Sequence, residues 1–377
     1  MNKAPKIDEG YDVSQYPAYT AFIYGEQTWG PLFAEGDGEP IPFTDNSART
    51  YILESLKTLQ ISLDELKQMS VMNIGSGREA AIFQQLGAGQ VTHLDISKPN
   101  VENTQRYAQQ NGIKNLTAVH ADVQTEGLPA EQFDLIFLAG IYQHIHTPAK
   151  ALINLARMLK KDGRIYLGFF RSGEWKYFIV DSIRHLISRD LFTCAKNKIA
   201  LSGAFGHGKH YQMTRTLDDF FVPCQHKFHP NDVIHDAQLV GLKVCHFDND
   251  FREYQHEGTG YFSIGGDRIY LAKEKGVGSP PPLEQFKTVK GRHQLHDVPY
   301  QEEIIRANVA LLEQIRTYVD HGLIPPDDLA TLAINLYRFT RPFDPDHDEY
   351  YQMSIRNGRH RTLHEYLTNV ARYFGAR

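Results

Sequence analysis

The chain has little cysteine, little tryptophan and no long apolar runs, and it carries no surplus of positive charge. Three cysteines in 377 residues (Cys194, Cys224 and Cys245) are too few and too scattered for a disulfide framework. No apolar stretch approaches the length needed to cross a bilayer, and the first nine residues lack a hydrophobic signal core. The expectation is a cytoplasmic enzyme without membrane association. A net charge of −5 supplies no global basic field, so a nucleic-acid partner is not expected. Cys224, His226 and His229 lack a clear fourth ligand and fit no familiar zinc spacing, so no metal is expected. No internal repeat is visible.

What is present is an apolar run, Val71-Met72-Asn73-Ile74, that enters a tight turn, Gly75-Ser76-Gly77, from which a helix leaves. The next apolar run closes on Asp95. Glycines of this kind let a backbone approach a ligand closely, and an acid at the end of the second strand is placed for a ribose hydroxyl. Strand-like runs at 71–74, 91–94, 116–120, 133–138 and 164–170 alternate with helical patterns at 79–86, 98–111 and 149–159. That alternation predicts an α/β, doubly wound Rossmann-like sheet with helices on both faces. A helix over 231–239 follows, then strands over 242–247 and 261–273, the second broken at Gly265-Gly266. Those two are close enough to pair as an antiparallel hairpin, which makes the sheet mostly parallel with an antiparallel last strand.

Around this core the expected organisation is an N-terminal cap segment over 1–69, a nucleotide-binding domain over 70–275 with a lid insertion at 171–222, and a C-terminal helical region over 283–377. The Gly276–Pro282 stretch is a linker by composition. The C-terminal helices are expected to pack on the catalytic domain or on a second subunit, as in a homodimer.

Gly75-Ser76-Gly77-Arg78-Glu79-Ala80 also fits the looser dinucleotide fingerprint, so the glycine turn alone leaves the cofactor open. Three features point away from a nicotinamide enzyme. Asp122 directly follows the third strand, where a carboxylate can accept from an adenine amino group. The fourth strand runs into Ala139-Gly140-Ile141-Tyr142-Gln143-His144-Ile145-His146, a turn dense in polar and aromatic groups. The sheet ends in a hairpin instead of a second nucleotide-binding half.

With Leu159-Lys-Lys-Asp-Gly-Arg-Ile-Tyr-Leu167 these motifs, in this order, resemble the class I S-adenosylmethionine-dependent methyltransferases of the small-molecule type, over residues 70–275. The resemblance implies S-adenosylmethionine as cofactor. Gly75, Ser76 and Gly77 would lie under its amino-acid part and ribose, with Asp95 on the ribose and Asp122 on the adenine edge. Ile96 and Val123 would sandwich the ring, and Leu138, Ala139 and Gly140 would lie beside the methionine moiety. Asn73 stands where the family often has an acid. Glu79 replaces the third glycine and is expected to lean outward at the helix start.

Methyl transfer needs in-line alignment and, for a protonated acceptor, a base. Past the fourth strand, His144 is the best-placed base, and Tyr142 is a candidate for a cation–π contact with the sulfonium. His226, in the segment before the helix at 231–239, is the third catalytic candidate. Arg171, Trp175, Tyr177, Tyr211, Asp219 and Phe221 are the candidate contacts to a small-molecule substrate. Two other readings share these motifs: a transfer of the aminocarboxypropyl arm or a cyclisation of the same cofactor, and an NAD(P)-dependent oxidoreductase.

Overall fold

The structure, a computed structural model, describes residues 20–21, 23–27, 46–125, 127–170, 218, 222, 224–249, 254–256, 260–262, 266–274 and 281–289. The chain divides into two compact units. The first comprises 1–172, 210–250 and 266–293, and the second 173–209, 251–265 and 294–377. In the second unit, among the described residues, strand β7 (Tyr254–His256) pairs antiparallel with β8 (Gly260–Phe262).

The first unit opens with a short π-helical turn, Ile23–Gln27, then α1 (Asn46–Thr58) and α2 (Leu63–Leu66). The order then runs β1 (Ser70–Ile74), α3 (Arg78–Gln85), β2 (Gln90–Asp95), α4 (Lys98–Gln110), β3 (Leu116–His120) and β4 (Phe133–Leu138). A 3₁₀ turn at Tyr142–His144 leads to α5 (Pro148–Met158) and β5 (Leu159–Phe170). Then come α6 (Pro230–Leu239), β6 (Leu242–Asn249) and β9 (Gly266–Lys273). The seven-stranded sheet has the order β3-β2-β1-β4-β5-β9-β6. All neighbours from β3 to β5 are parallel, and β9 runs antiparallel to both β5 and β6. This is the mostly parallel sheet with one antiparallel strand that the sequence predicts.

Each strand's composition follows from its place. In β1 the run Val71–Ile74 is buried throughout, as a central parallel strand covered on both faces must be. At the sheet margin, β3 buries Leu116 and exposes most of its other residues. One face packs Leu152, Leu155 and Met158 of α5 and Val233 of α6 against Ile136, Ile165 and Ile269. The other packs Ile52 and Leu56 of α1 and Phe83 of α3 against Val71, Leu135 and Phe137. There the rings of Phe137 and Tyr166 stack with centroids 4.1 Å apart.

The strand expected over 261–273 with a break at Gly265-Gly266 is divided between two sheets. Gly260–Phe262 belongs to the small sheet, and only Gly266–Lys273 joins the large one. The fifth strand starts earlier than expected, at Leu159, with a register shift between Phe133 and Leu135 on its neighbour. Asp162 takes a left-handed φ of 62° just before Gly163, which lets the chain turn within that irregular stretch.

The start of the expected C-terminal region packs into the first unit. Phe286 is buried in the core, and the Asp236 carboxylate of α6 accepts from the backbone amides of Lys287 (2.9 Å) and Thr288 (2.7 Å). The rest of the helical region expected over 283–377, from 290 onward, lies outside the described residues. Among the described residues no helix is long and apolar enough to cross a membrane.

Candidate active site

The carboxyl ends of β1, β2, β3 and β4 meet at one edge of the sheet, the edge where open α/β folds bind ligands. There the chain leaves β1 through Gly75 (φ 143°) and Gly77 (φ 90°), conformations that L side chains rarely adopt. A Cβ on Gly77 would run into the Thr104 hydroxyl of α4 and lie 3.1 Å from the His93 ring. The turn is thus seated directly on β2 and α4. Gly75 donates its amide to Leu94 O at 3.3 Å, and His93 Nε2 lies 2.6 Å from Gly75 O.

Asp95 closes β2 and is buried. Its carboxylate accepts from the Ser97 amide (2.6 Å) and from Asn100 Nδ2 (3.4 Å). Burial, only partly offset by those two donors, pushes its pKa up to about 7. The π-helical turn sits against the same corner: a Cβ on Gly25 would lie 2.5 Å from Ser97 Oγ and 2.8 Å from Pro99 Cγ. After β3, Asp122 caps its own turn, accepting from the Gln124 amide (2.9 Å) and side chain (3.1 Å). Ile96 is half-buried, whereas Val123 lies in the core, with its carbonyl held by Asn154 Nδ2 at 2.8 Å.

Two expectations for this corner change. Glu79 does not lean outward: it is 5% exposed, and its Oε1 accepts from Tyr51 OH at 2.6 Å and from Arg78 Nη2 at 2.9 Å. Burial pushes its pKa up, but the Arg78 charge and the Tyr51 hydroxyl outweigh it and hold the carboxyl below its ordinary range. The cation and the hydroxyl supplied by the fold compensate the charge that this burial strips of water. Tyr142 is placed in the core. It is fully buried, its ring 5.0 Å from that of Phe228 and its hydroxyl 3.3 Å from Thr288 Oγ1. A 3₁₀ turn spreads successive side chains about a third of a turn apart, so Tyr142 faces the core while His144, two residues on, faces elsewhere.

His144 and His226 are brought together around Cys224. His144 Nδ1 lies 2.9 Å from the Cys224 carbonyl, and His226 Nε2 lies 2.9 Å from Cys224 Sγ. The His226 amide also donates to Gln143 O at 2.7 Å. A carbonyl only accepts, so His144 carries its proton on Nδ1, and its Nε2 is the basic nitrogen, 3.9 Å from Asp218 Oδ2. The rings of Tyr24 and Phe170 flank it edge-on, with centroids 5.9 and 5.7 Å away. Among the described residues no group of three or more His, Cys, Asp or Glu side chains is arranged to hold a metal ion.

The residues at this edge fit a polar nucleotide-like cofactor. Among the described residues Asn73 Oδ1, His93 Nδ1, Ser97 Oγ, Asn100 Oδ1 and Gln143 Oε1 are buried without a hydrogen-bond partner. Buried polar atoms are rarely left so, and here they gather at the ends of β1, β2 and β4. Residues 72–167, the stretch that carries all of these atoms, match the family model of a methyltransferase domain. The chain carries a class I S-adenosylmethionine-dependent methyltransferase domain. The cofactor of that family is S-adenosylmethionine.

The chain is 32% identical over 115 residues to the aklanonic acid methyltransferase of a Streptomyces strain, a match covering 28% of this chain and 51% of that one. It is 31% identical over 104 residues to the tRNA U34 carboxymethyltransferase of Pseudomonas putida, covering 27% of this chain and 33% of that one. The chain thus spans about half or less of the length of these relatives. Among solved structures, it is similar to the 1,6-didemethyltoxoflavin-N1-methyltransferase of Burkholderia thailandensis. That match has 14% identity and a TM-score of 0.44, over 72% of this chain and 95% of that one.

Arg171, Trp175, Tyr177, Tyr211, Asp219 and Phe221, the expected substrate contacts, lie outside the described residues. The candidate site also holds residues that the sequence motifs do not single out. His93 stands two positions before Asp95, and strand alternation puts both on one side of β2, so its proximity was readable from the period alone. Asp218 is the neighbour of the chosen Asp219, and nothing in the local pattern separates the two. The Cys224 carbonyl, a backbone group, leaves no sequence signal.

Proposed function

We propose that this protein transfers a methyl group from S-adenosylmethionine to a small polar or aromatic metabolite. The observation that carries this reading is the gathering of the Gly75–Gly77 turn, Asp95 and partnerless buried polar atoms at one sheet edge, with the His144 imidazole on the loop after β4. The antiparallel β9 and the family match speak against the dinucleotide alternative. The family names of the similar proteins support methyl transfer. The aklanonic acid enzyme favours a small acceptor, as does the net charge of −5.

When bound, S-adenosylmethionine supplies an electrophilic methyl group on its sulfonium. The chain's part is to bind, align and exclude water. In this reading Gly75, Ser76 and Gly77 underlie the amino-acid part and ribose, Asn73 Oδ1 accepts from the cofactor's amino group, and Asp95 accepts from the ribose hydroxyls. Asp122 and Ile96 attend the adenine, and Leu138, Ala139 and Gly140 border the methionine moiety. Val123 supports the adenine side from the core rather than as an open platform. Tyr142 supports the post-β4 turn from beneath. Alignment contributes on the order of 7–11 kcal/mol in well-oriented systems. For a hydroxyl acceptor, His144 Nε2 takes the proton and the Asp218 carboxylate stabilises the resulting imidazolium, while His226 holds the Cys224 segment against Gln143. Arg171, Trp175, Tyr177, Tyr211, Asp219 and Phe221 are the proposed substrate contacts.

The test is incubation of the protein with S-adenosylmethionine and a panel of phenolic and carboxylate metabolites, with bulk tRNA as a parallel acceptor, read by mass spectrometry. The expected products are S-adenosylhomocysteine and a metabolite one CH₂ heavier, with kcat lowered roughly 10²-fold by His144→Ala. Methylthioadenosine as by-product would replace methyl transfer by aminocarboxypropyl transfer or cyclisation. Modification of tRNA alone would overturn the small-molecule acceptor.

A further inference from the structure

His93 is a buried polar side chain at the cofactor edge to which the reaction proposed above gives no task. It is completely buried on β2, and its Nε2 lies 2.6 Å from the Gly75 carbonyl. The same nitrogen is 4.0 Å from Asp95 Oδ2. The side chain therefore stands between the glycine turn and the proposed ribose-binding acid. Its ring is also the floor of the turn, because the missing Cβ of Gly77 would lie 3.1 Å from Cε1 and 3.3 Å from Nδ1.

We infer that His93 is a positioning residue that locks the Gly75–Gly77 turn in its cofactor-receiving shape by donating from Nε2 to the Gly75 carbonyl. This deepens the proposed function and rests on it, since the turn has a ligand to receive only if the cofactor binds there. Burial pushes the His93 pKa down to about 4, so the ring is neutral at neutral pH and has a single N–H to give. A carbonyl can only accept, which assigns that hydrogen to Nε2 and leaves Nδ1 as a bare acceptor. Among the described residues Nδ1 has no hydrogen-bond partner. An apolar side chain of similar volume would fill the space without that buried penalty. What it would lose is the donor to Gly75 O, and with it a side-chain bond that fixes the direction of the first peptide of the turn. The opposite side of the same residue is already tied to β2 through Gly75 N and Leu94 O. Gly75 has a φ of 143°, a conformation that glycine's freedom permits but does not enforce. With both its N–H and its C=O held by β2, Gly75 is tied down on two sides at the start of the turn.

The test uses the full chain. Calorimetric titration with S-adenosylhomocysteine should show roughly tenfold or greater weakening in His93→Leu, the loss expected when a buried hydrogen-bond donor is removed. In His93→Gln, whose amide can donate from a similar reach, most of the affinity should return, with both variants compared at matched melting temperature. Independently of any variant, imidazole ¹⁵N shifts of the wild-type protein should show Nε2 protonated and Nδ1 bare. His93→Leu binding as tightly as wild type, His93→Gln binding no better than His93→Leu, or the opposite tautomer would each overturn the inference. Failure of the wild type itself to bind S-adenosylhomocysteine would instead strike the proposed function, and the tautomer would still report on His93.

Discussion

At the scale of the residue, Asp95 carries a conflict between stability and binding. Its folded-state pKa of about 7 stands well above the ordinary 3.8, with burial as the main cause. That displacement corresponds to on the order of 4 kcal/mol of unfavourable ionisation. Below pH 3.8 the group is protonated whether the chain is folded or unfolded, and it costs nothing. As pH rises toward 7 the folded state resists losing its proton, so stability falls through this window and the penalty is complete above it. Asp95→Asn removes the charge. Melting curves should therefore show the variant more stable than wild type at pH 8, with the gap closing toward pH 4. The same variant should bind S-adenosylhomocysteine at least about tenfold more weakly, because the ribose loses a charged acceptor. A variant no more stable than wild type at pH 8 would mean that the carboxylate is better solvated than its burial indicates.

At the scale of the element, helices are tied to other helical segments by buried acids whose partners come from distant parts of the chain. Glu79 at the start of α3 is met by Tyr51 of α1, and Asp236 of α6 is met by the amides of Lys287 and Thr288. Replacing Asp236 by Ala leaves the buried Thr288 amide and the part-buried Lys287 amide without this acceptor, a loss of about 1–3 kcal/mol for the buried one. Limited proteolysis should then cut the 281–289 segment faster than in wild type, while S-adenosylhomocysteine binding changes little; an unchanged cleavage rate would show that Phe286 alone holds the segment. These contacts also mark what the sequence could and could not reveal. The strands and helices up to β5 were legible, because period-2 and period-3.6 patterns and the Gly75–Gly77 turn are local signals. The inward turn of Glu79 was not, since it depends on a tyrosine hydroxyl 28 positions away. Nor was the placement of Tyr142, which depends on Phe228 and Thr288, both far along the chain and brought in by packing.

At the scale of the whole molecule, the order β3-β2-β1-β4-β5-β9-β6 puts the first two strand ends beside the fourth, so that the glycine turn, Asp95 and the Tyr142–His144 turn converge from separate parts of the sequence. Alternation in the sequence implied the parallel core and the short connection from β6 implied the antiparallel partner. The side-by-side placement of His144, Asp218, Cys224 and His226 came only from folding, because the segments before and after the fifth strand carry no mutual register. The most direct test of the account is calorimetric titration of the full chain with S-adenosylhomocysteine and, separately, with NAD. The account predicts one-to-one binding of S-adenosylhomocysteine, abolished in Gly77→Val, where a branched side chain would have to occupy the place of the Thr104 hydroxyl, and no binding of NAD. Binding of NAD without S-adenosylhomocysteine, or an unimpaired Gly77→Val, would contradict it.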